Sequence, residues 1–300
     1  MEETKRNGIE ILDYFRVNPP TIPQMFYNTV KNAGNRPAHT FKSGRQWKTI
    51  SYNEWATISE EIALALIRLG LKKGDDACIM SRLSAPRAWA DMGIMLAGAV
   101  STTITPLISD EELVYILNRS DVKIMFVENE KMLNRVVDLS DQAPSLKGII
   151  CLDEAYSGNQ KTTWGLGQIR DLNNGTDSQA ATQLPERWQH LTGDDPARLN
   201  YTIGTTGQLK CSQMKHREWV DGEREGQRNI LRENLNGRLN NIYTSIMPIT
   251  SIKERTFGFF SMVAIGAEIK YGAGPSNLKN LRELKTIRQR NEYGSTGTYY

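Results

Sequence analysis

The feature that most limits what this chain can become is a regular alternation of amphipathic stretches and short apolar runs between Tyr52 and Leu152. Residues 52–69 place Ile58, Ile62, Leu66 and Leu69 on one helical face and stop at Gly70. Recurrence every three to four residues defines a helix with one buried side, and a glycine supplies the left-handed backbone that closes it. Residues 77–80 form a short buried strand, and 86–97 a helix with Pro86 in its first turn. Residues 100–104 are β-rich and end before Pro106, and 110–119 open with Asp110, Glu111 and Glu112, which suit the positive end of a helix dipole. A strand over 123–127, a helix over 130–139 and a strand over 148–152 follow. Strand and helix alternate at this interval when each helix crosses over between parallel strands. The expected fold class is therefore α/β: doubly wound, mostly parallel sheets with helices on both faces.

The rest of the chain is read against that alternation. Residues 1–20 form an N-terminal arm ending in Pro19 and Pro20. Met25, Phe26, Thr29 and Val30 then follow Pro23 at helical spacing, and the alternating run from His39 turns at Ser43–Gly44 as a hairpin. Ser51 with Glu54 three residues on has the form of a capping box. Residues 21–152 make a first α/β subdomain. Residues 153–195, rich in Gly, Asn, Gln, Ser and Thr, are expected as a linker or surface excursion with one helix at 165–172. Alternation resumes over 196–286, with strands at 197–203, 241–247 and 267–271 and helices at 252–265 and 277–285; residues 287–300 form a loose tail. The segment from Arg217 to Asn240 is charged, with Gly222 and Gly226 inside, so a short or frayed helix is expected there; each such Gly costs a helix about 1 kcal/mol against Ala.

Composition removes several function classes. The net charge of +3 makes no case for nucleic acid, which needs a basic face or stripe. The 3 cysteines (Cys78, Cys151, Cys211) and 3 histidines (His39, His190, His216) are scattered, so neither a disulfide framework nor a metal-ligand cluster is expected. The N-terminus is charged where a secretory signal would be apolar, and no run approaches the ~20 apolar residues of a membrane span. A cytoplasmic protein is expected, with peripheral membrane contact left open. His216 reads as an exposed polar residue, and Cys211 has no activating base nearby in sequence.

One stretch carries chemistry. Leu199, Tyr201, Thr202 and Ile203 run into Gly204, Thr205, Thr206 and Gly207, with Lys210 following. Glycine lets backbone N–H groups approach a phosphate, threonine hydroxyls add donors, and an ammonium meets the remaining negative charge. The pattern is not a Walker A loop, because Lys210 lies three beyond Gly207 and Cys211 follows it. By chemistry alone a phosphate cradle and a polar surface turn both remain open. A position beyond the carboxyl end of a strand, where open α/β sheets bind ligands, favours the cradle.

Three stretches resemble the N-terminal part of the adenylate-forming acyl-CoA synthetases, most of all the long-chain fatty acid–CoA ligases. They are TIPQMFYNTVKNAGNRPAHTFKSGRQWKTISYNEW with ALIRLGLKKGDDACIMS, then DMGIMLAGAVSTTITPLISDEELVYILNRSDVKIMFVEN, and DDPARLNYTIGTTGQLKCSQMKH. The third is the specific one, and the resemblance runs from about Pro20 to Lys285. It implies ATP, Mg²⁺ and coenzyme A as cofactors and a fatty acid as substrate, joined first to AMP and then to coenzyme A. It implies that Thr202, Gly204, Thr205, Thr206, Gly207 and Lys210 bind nucleotide, with Lys210 also catalytic, and it assigns no metal ligand here. The family has Ser, Pro and Gly where this chain has Ile203, Leu209 and Cys211, and His where it has Ser251. The family also continues well beyond this chain. These departures sustain an alternative: a catalytically inert nucleotide-binding or scaffold relative. Tyr293–Gly297 is similar to a later family segment but arrives early and lacks its Glu.

Overall fold

The computed structural model describes residues 20–158, 162–172, 178–203, 209–221, 242–245 and 259–271. Helix α1 (Ile22–Ala33) starts at Thr21, whose hydroxyl accepts the Gln24 N–H, and leads into the hairpin β1 (Pro37–Ser43) and β2 (Gln46–Ser51). Helix α2 (Tyr52–Arg68) opens with the Ser51–Glu54 capping box. Strand β3 (Asp76–Met80), helix α3 (Ala85–Leu96) and strand β4 (Val100–Ile104) follow. Then come α4 (Asp110–Arg119), β5 (Ile124–Val127), α5 (Glu130–Leu139) and β6 (Gly148–Cys151). From α2 to β6 every boundary lies within a residue or two of the one expected from the sequence.

The terminations share one device. Gly70 and Gly98 sit at φ 88° and 73° just past α2 and α3. After α2, Gly70 N–H reaches Ile67 O and Leu71 N–H reaches Leu66 O; after α3, Gly98 N–H reaches Met95 O and Ala99 N–H reaches Ile94 O. This double closure satisfies the last helical carbonyls and turns the chain toward the next strand.

The interval 153–195 departs from expectation. It holds the expected helix, α6 (Leu166–Asp171), but also strand β7 (Thr163–Gly165) at the edge of the main sheet and helix α7 (Ser178–Gln189). Arg187 of α7 donates to Leu71 O and Ala97 O, and Trp188 stacks on Tyr27 at 4.3 Å. Its polar composition hides these contacts, because one arginine and one tryptophan make them rather than an apolar stripe.

Strands β8 (Pro196–Ile203) and β9 (Leu209–Lys215) complete a seven-stranded sheet in the order β7-β6-β5-β3-β4-β8-β9, parallel except for β9. Strand β9 was not expected, and residues 210–215 had no element assigned. A smaller sheet runs β10-β11-β1-β2, built from β10 (Ile242–Ser245) and β11 (Glu268–Tyr271) beside the first hairpin. Short helix α8 (Ser261–Ala264) precedes β11. Of the polar segment 217–240, residues 217–221 are helical and the remainder, like the helix expected at 277–285 and Ser251, lies outside the described residues.

The main sheet is buried on both faces. Ala77 and Ile79 join the core that includes α2 and α3, whereas Cys78 and Met80 join the one under α4 and α5. Two-residue alternation with apolar residues on both sides is what a doubly covered parallel sheet requires. The first core also takes in Phe259, Phe260, Ile269 and Tyr271, so it fills the space between the two sheets. Among the described residues no helix is long and apolar enough to cross a membrane.

Candidate functional site

Strand β8 runs parallel to β4, pairing Ser101 with Arg198 and Thr103 with Asn200, so its carboxyl end at Ile203 lies at the same sheet edge as the carboxyl ends of β3, β4 and β5. Strand β9 returns antiparallel, which makes the glycine–threonine sequence the connection between the two arms of a hairpin. Antiparallel arms joined by a short connection hold its ends at fixed spacing. The register sets Thr202 opposite Lys210 and Ile203 opposite Leu209. Thus two of the expected site residues are brought together at the mouth of the connection. Lys210 is exposed, free to meet a ligand in solvent. Gly204, Thr205, Thr206 and Gly207 lie outside the described residues.

The hairpin is anchored from beneath. Tyr201, opposite Cys211, packs with Leu209 against the α4–α5 core, and its hydroxyl hydrogen-bonds to the Ser120 hydroxyl at the end of α4. Burial pushes the Tyr201 phenol up, so it stays a neutral tether. Cys211 is an exposed free thiol.

His216 corrects the sequence reading. It is buried at 1% exposure, and its Nδ1 accepts the Ile22 N–H at 3.4 Å. Burial first, and then Arg198 and Lys73 against the opposing pull of Asp195, lower its pKa to about 4. The residue following the hairpin therefore holds the start of α1 instead of facing solvent, and its acceptor role requires an uncharged ring.

Sequence reasoning also missed a buried ionic cluster between the two sheets. Asp91 of α3 accepts from Arg198 Nη2 at 2.8 Å and from the Ser101 hydroxyl at 2.6 Å. Arg87, one turn earlier, donates through Nη2 to Thr103 Oγ1 at 3.0 Å. The Arg198 guanidinium lies 4.7 Å from the Trp219 ring and 4.9 Å from the Phe260 ring. Burial works to raise the Asp91 carboxyl, but Arg198 and Arg87 together hold it below the usual range. The available signal was a pair of opposite charges, Arg87 and Asp91, four residues apart in an otherwise apolar helix. Its partner Arg198 interrupts a β-rich run 107 residues later.

Among the described residues no group of three or more His, Cys, Asp or Glu side chains could hold a metal ion.

This combination defines a doubly wound α/β protein whose candidate ligand loop joins a β-hairpin at the carboxyl edge of a parallel sheet. The chain belongs to the AMP-binding enzyme family, whose model matches residues 26–291. Among curated relatives, Long-chain-fatty-acid–CoA ligase ACSBG2 of Xenopus laevis is 28% identical over 289 residues, covering 92% of this chain and 38% of the relative. The ACSBG2 ligase of Rattus norvegicus is 24% identical, covering 89% of this chain and 40% of the relative. The chain therefore spans less than half the length of these relatives. Among solved structures, the anthranilate CoA ligase AuaEII in complex with anthranoyl-AMP superposes with a TM-score of 0.71 at 17% identity, covering 90% of this chain and 48% of that one. The fatty acyl-adenylate ligase from L. pneumophila, in complex with acyl adenylate and pyrophosphate, gives 0.66 at 19%, covering 93% and 44%. These likenesses establish the fold.

Proposed function

We propose that this chain carries the nucleotide-binding part of an ATP-dependent ligase that activates a long-chain fatty acid as its acyl-adenylate and transfers the acyl group to coenzyme A. The observation that carries this reading is the hairpin: a TIGTTGQLK sequence whose flanks, Thr202 and Lys210, pair across β8 and β9 at the carboxyl edge of the sheet. Membership of the AMP-binding enzyme family and its relatives' being long-chain-fatty-acid–CoA ligases support it.

On this reading the backbone N–H groups of Gly204, Thr205, Thr206 and Gly207, together with the Thr202 hydroxyl, cradle the triphosphate. Lys210 neutralises charge as a fatty-acid carboxylate oxygen attacks the α-phosphorus and the bond to pyrophosphate breaks. The coenzyme A thiol then attacks the acyl carbonyl and AMP leaves. A bound Mg²⁺ would offset phosphate charge. The proposal places the protein in the cytoplasm, a compartment that keeps Cys78, Cys151 and Cys211 as the free thiols they are here.

A second reading, nucleotide binding without turnover, is favoured by the hairpin's own departures, since Ile203, Leu209 and Cys211 stand where the resemblance calls for Ser, Pro and Gly. Pyrophosphate release from pure protein given ATP, Mg²⁺ and palmitate tests the first reading. Thermal-shift titration with ATP and with a non-hydrolysable acyl-adenylate mimic separates the two, because a ligand that binds only the folded chain raises its melting temperature. Stabilisation with turnover supports the ligase, stabilisation alone the inert relative, and no shift with either ligand removes the nucleotide site. Lys210→Ala, at an exposed position, is expected to weaken the ATP-dependent shift at least tenfold in midpoint concentration while leaving the ligand-free melting temperature unchanged.

A further inference from the structure

The longest acid-free interval of the chain runs from Tyr14 to Asn53, and the hairpin β1–β2 lies inside it. Within that interval Lys31, Arg36, Lys42, Arg45 and Lys48 are all exposed, and among the described residues none of the five has an ion-pair partner. Lys42, Arg45 and Lys48 gather at the tip of the hairpin around Trp47. The neighbouring carboxylates are already engaged. Glu54 is committed to the Ser51 cap, and on the outer face of the small sheet Glu268 is met by Lys270 at 3.7 Å.

The register shows how this tip is presented. Strand β1 pairs with β11 at His39 and Thr40, while its pairing with β2 continues through Lys42–Trp47 to Ser43–Gln46. Phe41, Lys42 and Ser43 therefore carry the ladder about 10 Å past the last pairing with β11. The two-residue turn Gly44–Arg45 closes it, with Gly44 at φ 61°, the positive value that lets so short a turn follow the twist of its strands. The turn stands in open space, since a Cβ built at Gly44 would meet nothing within 4 Å. Its root is fixed from both faces. Phe41 meets Trp89 edge-on at 5.5 Å in the core, and the Thr40 and Thr49 hydroxyls bond across the outer face at 2.7 Å. One rung farther out, Lys42 Nζ lies 5.2 Å from the centre of the Trp47 ring. Trp47 is 50% exposed, whereas Trp55, Trp89 and Trp219 are buried. A large ring held half in water on a packed, projecting turn, with cations on every side of it, is complementary to a surface that is apolar beneath and negative on top.

We propose that the β1–β2 tip is a docking surface for an anionic lipid bilayer, with Trp47 entering the headgroup layer and Lys42, Arg45 and Lys48 meeting lipid phosphates and carboxylates. Tryptophan settles at that boundary because its ring is apolar and its N–H is polar. Lysine and arginine carry their charge on apolar stems, so the stems follow the ring inward while the heads stay among the headgroups. Each cation close to an anionic leaflet strengthens binding about fivefold. Size argues against a protein partner, because a standard interface takes roughly 20–30 residues a side and this tip offers about ten. Nucleic acid calls for a longer basic stripe. The docking surface is separate from the nucleotide site, and vesicle binding requires no turnover.

Vesicles are the probe. The full chain, without ATP or fatty acid, is floated at physiological salt with vesicles of phosphatidylcholine alone and with vesicles that also contain phosphatidylserine. Partition into the anionic vesicles is expected to exceed partition into the neutral ones by about tenfold or more. Binding should shift tryptophan emission to the blue, and Trp47→Phe should remove that shift. Lys42→Gln, Arg45→Gln and Lys48→Gln combined should lower anionic partition by about tenfold or more at an unchanged melting temperature, since all three positions are exposed. Arg119→Gln, Lys131→Gln and Lys147→Gln combined remove the same charge from other exposed positions. That set should cost less than about twofold, because charges beyond a Debye length of the bilayer are screened. Equal binding to the two kinds of vesicle, equal losses from the two triple variants, an emission shift that survives Trp47→Phe, or tighter binding to duplex DNA than to anionic vesicles at the same salt would each overturn the proposal.

Discussion

His39 and Asp76 are both buried, and they oppose each other as the pH changes. Burial among Trp55, Trp89 and Tyr271 lowers the His39 pKa from 6.5 to about 3, and burial lowers His216 to about 4. As the pH falls from 6.5 toward 4, the unfolded chain takes up protons at both rings that the folded chain refuses, so stability falls. Asp76 behaves in reverse. Burial, only partly offset by the Thr102 hydroxyl at 2.7 Å, raises its pKa from 3.8 to about 7. Its contribution is full below pH 3.8, declines as the pH rises, and is gone above about 7. Asp76→Asn, which keeps a neutral group there, should therefore gain on the native chain by about 1 kcal/mol per pH unit between pH 5 and 7. Urea unfolding of both chains across that range checks this, and a constant difference would contradict it. These burials were not legible in the sequence: a lone His or Asp in an alternating run has the same local pattern whether its face is covered or wet.

At the scale of the element, helix ends and helix crossings are the sensitive points. Ser51→Ala removes the hydroxyl that accepts Glu54 N–H at 3.2 Å and should cost about 1 kcal/mol in denaturant stability. Gly93 marks the crossing of α3 over α2. A Cβ there would stand 2.7 Å from Ile62 Cγ2 and 3.0 Å from Ser59 O, between a core side chain and a backbone carbonyl. Gly93→Ala should accordingly destabilise by about 1–3 kcal/mol, although alanine is the better helix former. If Gly93→Ala proves stabilising, the close crossing is wrong. The Ser51–Glu54 capping box and the closing Gly70 were legible because they act within four residues of themselves. The crossing at Gly93 was not, since its reason lies across the interface in Ile62 and Ser59. Strand β9 went unread for a related cause: its LKCSQMK sequence lacks an apolar period, and its strand form comes from pairing with β8.

Across the whole molecule the order of the chain and the order in space differ. Strands β8 and β9 belong to the sheet begun by β3–β7, while β11 inserts between β10 and β1. The Tyr52 hydroxyl at the start of α2 donates to Ala267 O at 2.7 Å, and the Thr29 hydroxyl reaches Ala264 O at 3.4 Å. A chain ended after residue 152 would retain the strands of the first subdomain but leave β4 unpaired along the edge that β8 covers and β1 along the edge that β11 covers. Such a fragment should fail to unfold as one cooperative transition in urea, whereas the full chain should show the transition by tryptophan fluorescence and by circular dichroism at the same midpoint. A cooperative fragment would show that the later strands are additions to a self-sufficient unit.

The amino-acid order by itself determined the elements from residue 22 to 151, their stops, the parallel winding of the main sheet and the glycine–threonine sequence that follows β8, because period, caps and glycine conformation are local properties. Only the tertiary structure decided that His216 clasps α1, that Thr202 faces Lys210 across two strands, and that Arg198 lies sealed against Asp91. Each of those depends on a partner 8 to 194 residues away, and burial, not identity, sets the charge and the role of a polar side chain.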